Sequence, residues 1–453
     1  MKTTPLPAHG VTRATCLRRP PHRGIGTLAV TLILLFVTSI GVLYANRSVV
    51  FAQRSSVNQA QATLAHEVAE AGLEWAVGML NSPYEIGSDC TFLTTTNVSF
   101  RKRYVLTGYN AAPPTTNVVA ATNTFPGCKI DPASGTTTCS CPTAPASGTA
   151  VASPSNAAAM LPSFTVAFQN VAGDPEAVQV TAYACTAQMA VCSSTSFGDA
   201  DGNARLSMTV KLRPLLRAVP PAPLTCGTSC TIGGSFNIAN TNVATNGILV
   251  NAGTTISTAN GTAMTTLQGQ PAANALVGND SSLARLSSGD PTCSNSAMFK
   301  TYFGSTLSEY QNAPSTRTLS CGSASDCESK LNNAYADGWR AFYMASDMQL
   351  SGNNTYGSVA EPITLVTPNA LRINGNNTFY GVIFSNNADW NNNGTGSSTI
   401  QGVQITCAAY NANGNGSIIY DADVLKNARR LTGLMVRVPG SWRDFKVDSD
   451  TLP

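Results

Sequence analysis

Apolar and polar positions change their spacing twice along this chain. The first regime lies between Arg23 and Arg47, where 23 consecutive residues carry no charge. As a helix, Ile25 to Ala45 would cover about 30 Å at 1.5 Å per residue, the thickness of a bilayer's hydrocarbon core. The helical period continues beyond it. Val57, Ala60, Leu64, Val68, Ala71, Trp75 and Met79 step by three or four and draw one apolar stripe, with Glu67, Glu70 and Glu74 on a neighbouring face. No proline intervenes before Pro83. The pattern predicts one helix from about residue 25 to 80, some 80 Å long at the same rise.

The second regime runs from Pro83 to Arg217. TFLTTTNVSF, RYVLTGY, SFTVAF, AVQVTAYAC and ARLSMTVKL read as strands from β-branched content and alternation, and Ala133 to Ala159 reads as a low-complexity loop. Pro214, Pro220, Pro221 and Pro223 then predict a stiff linker. In the third regime, short apolar runs such as TFYGVIF, STIQGVQI and GSIIY are separated by Asn/Gly turns, and asparagine occurs fourteen times between residues 350 and 420. Short strands at this spacing suit a sandwich, a barrel or a β-helix. The Asn/Gly corners favour the β-helix, because both residues tolerate left-handed backbone. A span from about 263 to 345 interrupts the pattern with helix-like AMFKTYFGSTLSEY and CESKLNNAYADGWRAFYM, an expected insertion pinned by Cys293, Cys321 and Cys327.

Composition narrows the chemistry. Charged residues make up 11% and the net charge is +3, too little basic surface for a nucleic-acid partner. Arg101, Lys102 and Arg103, and the pair Arg429 and Arg430, read as solvated element ends. Twelve of the thirteen cysteines follow the uncharged segment: Cys90, Cys128, Cys139, Cys141, Cys185, Cys192, Cys226, Cys230, Cys293, Cys321, Cys327 and Cys407. An even number predicts disulfides in an oxidising compartment, with connectivity left open. The histidines are His9, His22 and His66, so neither a mixed Cys/His zinc site nor a histidine-dependent nucleophile can form among those cysteines. Asp199, Asp201 and Asn203 resemble part of a calcium loop, but position twelve from Asp199 is Val210, and a turn at Asp201-Gly202 is the preferred reading. Carbohydrate-active β-helices use grooves of acids. Asp347, Glu361, Asp389, Asp421 and Asp423 do not recur at a rung period, and Trp339, Tyr343, Tyr356, Tyr380 and Trp390 read as core or corner residues before a sugar platform. The expectation is a non-enzyme without cofactor.

Lys2, Arg13, Arg18, Arg19 and Arg23 precede the uncharged segment with no acid among them, which predicts a cytoplasmic N-terminus and an exported remainder. An anchor with a coiled-coil stalk satisfies these facts equally. A basic leader ending in glycine (RRPPHRG), an uncharged segment directly after it and the extension QRSSVNQAQATLAHEVAEAGLEWA together resemble the PilX-type minor pilins of type IV pili. The resemblance covers residues 20 to 80. It implies that a prepilin peptidase cuts after Gly24, leaving Ile25 first in the mature chain, with Gly26 as the second candidate. It further implies that the helix leaves the inner membrane to join other minor and major pilins in a filament at the cell surface. The fifth mature position, a glutamate in major pilins, is Ala29 here. That departure implies a minor subunit, placed at the tip and acting in assembly or initiation; a tip adhesin whose β-rich head binds a surface or glycan is the alternative. The expected fold is α+β: a leader (1–24), a transmembrane and filament-core helix (25–80), a small pilin β-sheet domain (81–217) and a right-handed β-helix-like head (218–453) with its helical insertion.

Overall fold

The computed structural model describes residues 23–93, 99–105, 125–131, 134–142, 161–186, 192, 202–287, 297–390 and 396–445. The leader before Arg23, most of the low-complexity loop, Cys293, Asp199 and Asp201 lie outside them. The chain forms two compact units, Met1–Ala60 and Gln61–Pro453. One helix, Arg23–Asn81, supplies the described part of the first and enters the second.

In the second unit the last five turns of that helix lie on an antiparallel sheet. Strands Ser163–Val171, Asp174–Cys185 and Asn203–Arg213 form its centre, and Gly127–Ile130 and Thr137–Ser140 extend one side. The other edge is unexpected. Leu434–Arg437, which follows the whole of the expected head in sequence, pairs antiparallel with Asn203–Arg213, Leu434 opposite Arg213. The expected 218–453 head is therefore an excursion that leaves this sheet and returns to finish it. Phe100–Tyr104, expected to hold the end of one strand and the start of the next, is a helical turn whose N-cap Ser99 accepts from the Lys102 amide.

Among the described residues the excursion is a sheet of sixteen strands, all of its pairings parallel. Its strands fall into three ladders. One runs through 316–319, 341–344, 364–366, 382–385, 404–406, 224–226, 250–252 and 276–277. The second runs through 348–350, 371–373, 388–390, 410–413, 230–233 and 256–258. The third runs through 355–356, 378–379, 399–401, 417–419, 237–239 and 263–265. The strands first in sequence sit mid-ladder, because Gln404 pairs with Leu224 and Tyr410 with Cys230. Helices Ser281–Ser287, Ala297–Phe303 and Leu307–Gln311 lie between the last strand at one end and Thr316–Leu319 at the other. The span expected as an insertion thus holds ladder strands as well as helices.

Side chains in register build the core. Tyr356, Phe379, Ile400, Ile418, Ile238 and Met264 form one apolar column. The first ladder is buried on both faces: Leu365 and Ile383 point into one cluster, while Val366, Val382 and Phe384 meet Phe299 and Phe303 in another. That accounts for continuous apolar runs where a half-exposed strand would alternate. Asparagine works here by a route other than the expected one. Among the described residues only Cys90, Asn246 and Asn279 are non-glycines with positive φ, none of them between 350 and 420. The asparagines bond across turns: the Asn354 amide donates to Asn377 Oδ1 (3.1 Å), that of Asn376 to Asn353 Oδ1 (3.3 Å) and that of Ser397 to Asn376 Oδ1 (2.7 Å). The expected linker is packed, with Leu216 and Ala222 fully buried and the amides of Arg217 and Ala218 both donating to the Tyr302 carbonyl.

Candidate assembly helix and processing site

The Arg23–Asn81 helix has two faces of different chemistry in its two halves. Every residue with a described side chain from Gly26 to Ala60 is exposed. Leu28, Ile33, Leu35, Phe36 and Leu43 are 60% exposed or more, yet all are strongly apolar. The segment is long and apolar enough to cross a membrane, with a mean hydropathy of 2.4 over its best window. Apolar surface of this extent, bare on every side of a helix, belongs in lipid or against other apolar helices. Gly24 and Ile25 fall in its first turn, and Ala29 stands in the second.

From Gln61 the helix is packed, and the buried stripe differs in phase from the one expected. Ala65, Val68, Ala69, Gly72, Leu73, Ala76, Met79 and Leu80 are buried, whereas Val57, Ala60 and Ala71 are exposed. Glu67, Glu70 and Glu74 face solvent as expected, and Glu74 pairs with Arg437 of the returning strand. The phase is set by small residues. A Cβ on Gly72 would stand 2.9 Å from Phe164 Cδ2, so the sheet approaches the helix through the Ala65, Ala69, Gly72 and Ala76 face. Trp75 flanks it, edge-on to Phe100 at 5.4 Å and tilted against Phe164 at 5.5 Å.

Buried polar groups fasten the helix end. Asn81 Oδ1 accepts from the Met435 amide (2.8 Å), and its Nδ2 donates to the Met435 carbonyl (3.0 Å). Arg101, 6% exposed, donates to the Leu80 carbonyl (2.8 Å) and the Gly433 carbonyl (2.6 Å). Burial pushes its guanidinium down to about 10. Arg103 donates to the carbonyls of Ile86, Gly87 and Cys141. The RKR run is therefore a buried clamp. Its middle residue, Lys102, reaches Glu361 Oε1 at 2.5 Å, and Arg340 holds the other carboxylate oxygen through Nε (3.1 Å) and Nη2. Burial holds the Lys102 ammonium below its ordinary value, against the pull of Glu361. Of the other two cations expected to be solvated, Arg430 is 4% exposed and Arg429 is half-buried, donating to the Leu216 carbonyl (3.2 Å).

Cys90 bonds Cys141, Cys128 bonds Cys139, Cys185 bonds Cys192, Cys226 bonds Cys230, Cys321 bonds Cys327, and Cys407 is also disulfide-bonded. Cys139 and Cys141, close in sequence, take different partners because Cys139 stands directly across the ladder from Cys128. Among the described residues no group of three His, Cys, Asp or Glu side chains could hold a metal ion. Of the calcium candidates only Asn203 is described, as the first residue of its strand. Three of the five scattered acids have structural partners: Glu361 as above, Asp347 Oδ1 accepting the Ala370 amide, and Asp421 capping the Ala422–Thr432 helix. Trp339 and Tyr356 are buried in the core, and no sugar platform forms from them.

Residues 23–74 match the family model described as PilX N-terminal. No curated protein sequence matches the chain. Among solved structures, the competence-associated pilin ComZ from Thermus thermophilus aligns over 83% of this chain and 95% of its own, at 12% identity and a TM-score of 0.20, an overlap too low to carry an argument.

Proposed function

On the premise that residues 23–74 form a PilX-type pilin N-terminal region, we propose that this protein is a minor subunit of a type IV pilus, acting in assembly or initiation from the filament tip. One observation carries the reading: a wholly exposed apolar helix continues, without a break, into a helix seated on an antiparallel sheet. Such a subunit waits in the inner membrane, N-terminus cytoplasmic, and is extracted when its apolar half finds the equivalent helices of other pilins. A prepilin peptidase removes the leader after Gly24. Ala29 favours the tip, since a glutamate there would meet the ammonium of a neighbour in a low-dielectric core, and the first subunit has no earlier neighbour. The parallel sheet is read as the β-helix that the sequence suggests. Support comes from ladder partners that recur after one short circuit of chain, as Thr364 with Val382 and Leu224 with Val250.

Gly24→Val tests processing: the precursor should remain uncut, while cleavage near residue 45 would indicate ordinary secretion. Immunogold labelling tests location, with gold at one filament end expected and regular gold along the shaft refuting it. The second reading, a tip adhesin, draws on the size of the parallel-sheet excursion. Separating the two needs a deletion inside residues 224–420 that spares Leu434–Arg437, since that strand belongs to the first sheet. Lost piliation then supports assembly, and intact pili without attachment support adhesion.

A further inference from the structure

The two ends of the parallel sheet are finished differently. At one end the Ala324–Ala336 helix closes the ladders: Leu331 and Ala334 are buried in the core, and Glu328 Oε1 accepts the amides of Ser351 (2.6 Å) and Gly352 (2.7 Å), where another turn of chain would bond. At the other end only the first ladder has further cover, from Leu276–Val277, and the Asn279 amide reaches the Thr254 carbonyl. Ile256–Thr258 and Ala263–Thr265 pair on one side alone, with Cys230–Ile232 and Asn237–Ala239. No described strand lies on their other side.

Backbone phase shows what this end lacks. In a parallel ladder a residue's N–H and C=O point to one side, and its neighbour's point to the other. The Thr255 carbonyl accepts from Cys230 and the Ala259 amide donates to the Ile232 carbonyl, which turns the amides and carbonyls of Ile256 and Thr258 to the open side. The Ala263 amide bonds the Phe236 carbonyl and the Thr265 carbonyl accepts from Asn240, so Met264 turns its pair outward too. Ile256 and Met264 are the last members of their columns and only half-buried. Exposed edges are ordinarily guarded by lysine, proline or a bulge. Here residues 218 to 279 contain no Asp, Glu, Lys, Arg or His, and neither edge strand holds a proline.

We propose that this open end docks one extended, uncharged strand of a partner protein, which pairs on Ile256–Thr258 and Ala263–Thr265 as the next turn of the ladders. The outward amides and carbonyls call for an extended backbone, because a helix spends its own groups internally. The columns call for apolar side chains over Ile256 and Met264, with Ser, Thr, Asn or Gly between them. A charged strand finds no counter-charge in residues 218–279, and Asp280, the next charge along the chain, is spent capping the Ser281–Ser287 helix through the amides of Ser282 and Leu283. The site lies five strand spacings from Met348–Leu350, about 24 Å at ~4.8 Å each, and so clear of the Lys102–Glu361 joint.

The probe is a fluorescent, end-blocked peptide copying residues 254–266 (TTISTANGTAMTT), whose Ile and Met already fit these columns one turn down. Anisotropy with the full chain in detergent should show saturable one-to-one binding. Binding should fall more than tenfold for a scrambled peptide and for one with lysine in place of its Ile and Met. N-methylation of the peptide's Ser and last-strand Thr amides, which face the dock in this register, should abolish binding, while N-methylation at its Ile and Met should not. Thr258→Lys with Thr265→Lys in the protein should also abolish it, with the unfolding midpoint unchanged. Equal binding of the scrambled peptide, indifference to which edge is methylated, or retained binding by the lysine variant would overturn the proposal. So would self-association through this end that the peptide fails to compete.

Discussion

Replacing Glu361 by alanine tests whether the antiparallel sheet and the parallel ladders are joined by a buried charge cluster. In the native fold its carboxylate meets Lys102 Nζ at 2.5 Å and Arg340 Nε at 3.1 Å, and the three side chains are 22%, 13% and 9% exposed. Were these surface groups, the loss would be about 0–1 kcal/mol. At this burial the cost comes from the two cations left facing each other without the carboxylate between them, Glu85 being the anion still near Lys102, and breaking a buried pair costs about 3–5 kcal/mol. Arg340 keeps the carbonyls of Tyr335 (2.7 Å) and Trp339 (2.8 Å) and stacks over the Tyr335 ring at 3.9 Å, which tempers the penalty. The expected cost is therefore about 4 kcal/mol, close to a thousandfold in the folding equilibrium. Urea unfolding of the disulfide-intact chain reads it through tryptophan fluorescence, because Trp339 lies in the core 5.4 Å from Tyr84. The same change in a Lys102→Met background should cost less, since one of the two facing cations is gone. Replacing all three by apolar residues of similar volume should be close to neutral. A Glu361→Ala cost below about 1 kcal/mol, or an identical cost in both backgrounds, would refute the reasoning.

Other expectations follow from named contacts. Gly72→Val drives a side chain into Phe164 and should cost about 1–3 kcal/mol, seen as faster proteolysis of the antiparallel sheet. At Gly402 φ is +138° and a Cβ would stand 1.9 Å from the Gly381 carbonyl; Gly402→Ala should leave little folded protein, and near-native yield would count against the register. Thiol labelling of the unfolded, unreduced chain should find the eleven described cysteines unreactive; removing Cys90–Cys141, 51 residues apart, should cost about 4 kcal/mol and Cys226–Cys230, four apart, about 2. Burial raises the phenols of Tyr104, Tyr302, Tyr310, Tyr356 and Tyr410 above their ordinary 10.0, Tyr302 to about 12. The unfolded chain thus loses these protons first, and stability present below pH 10 falls as pH rises above it, by up to about 1.4 kcal/mol per unit for each tyrosine. Tyrosinate absorbance and circular dichroism should change together, and ionisation of these phenols at pH 10–11 with the fold retained would contradict their burial.

Local patterns were enough for several features. Twenty-three uncharged residues and an unbroken helical period announced the Arg23–Asn81 helix, since proline is what would have interrupted it. Strands such as Ser163–Val171 and Thr399–Thr406 were visible because β-branched runs bounded by turn residues have few alternatives. The pairing of the described cysteines followed from the even number after the uncharged segment and from the absence of histidine beside them.

What escaped the sequence depended on neighbours distant in the chain. The helix's buried phase came from how near the sheet can approach, so Gly72 and Ala76 outweighed the larger residues that define an apolar stripe by composition. Arg101, Lys102 and Arg103 looked solvated because cations usually are; only the fold supplies Leu80, Gly433, Ile86 and Glu361 to receive them. Leu434–Arg437 is a short strand, and nothing in its own residues says that the vacant edge beside Asn203–Arg213 is where they pair. The ladder order was equally hidden. A strand's pattern records that it is buried but not which strand covers it. The pairing of Gln404 with Leu224, which lie 180 residues apart at opposite ends of the excursion's sequence, was settled only when the chain closed on itself.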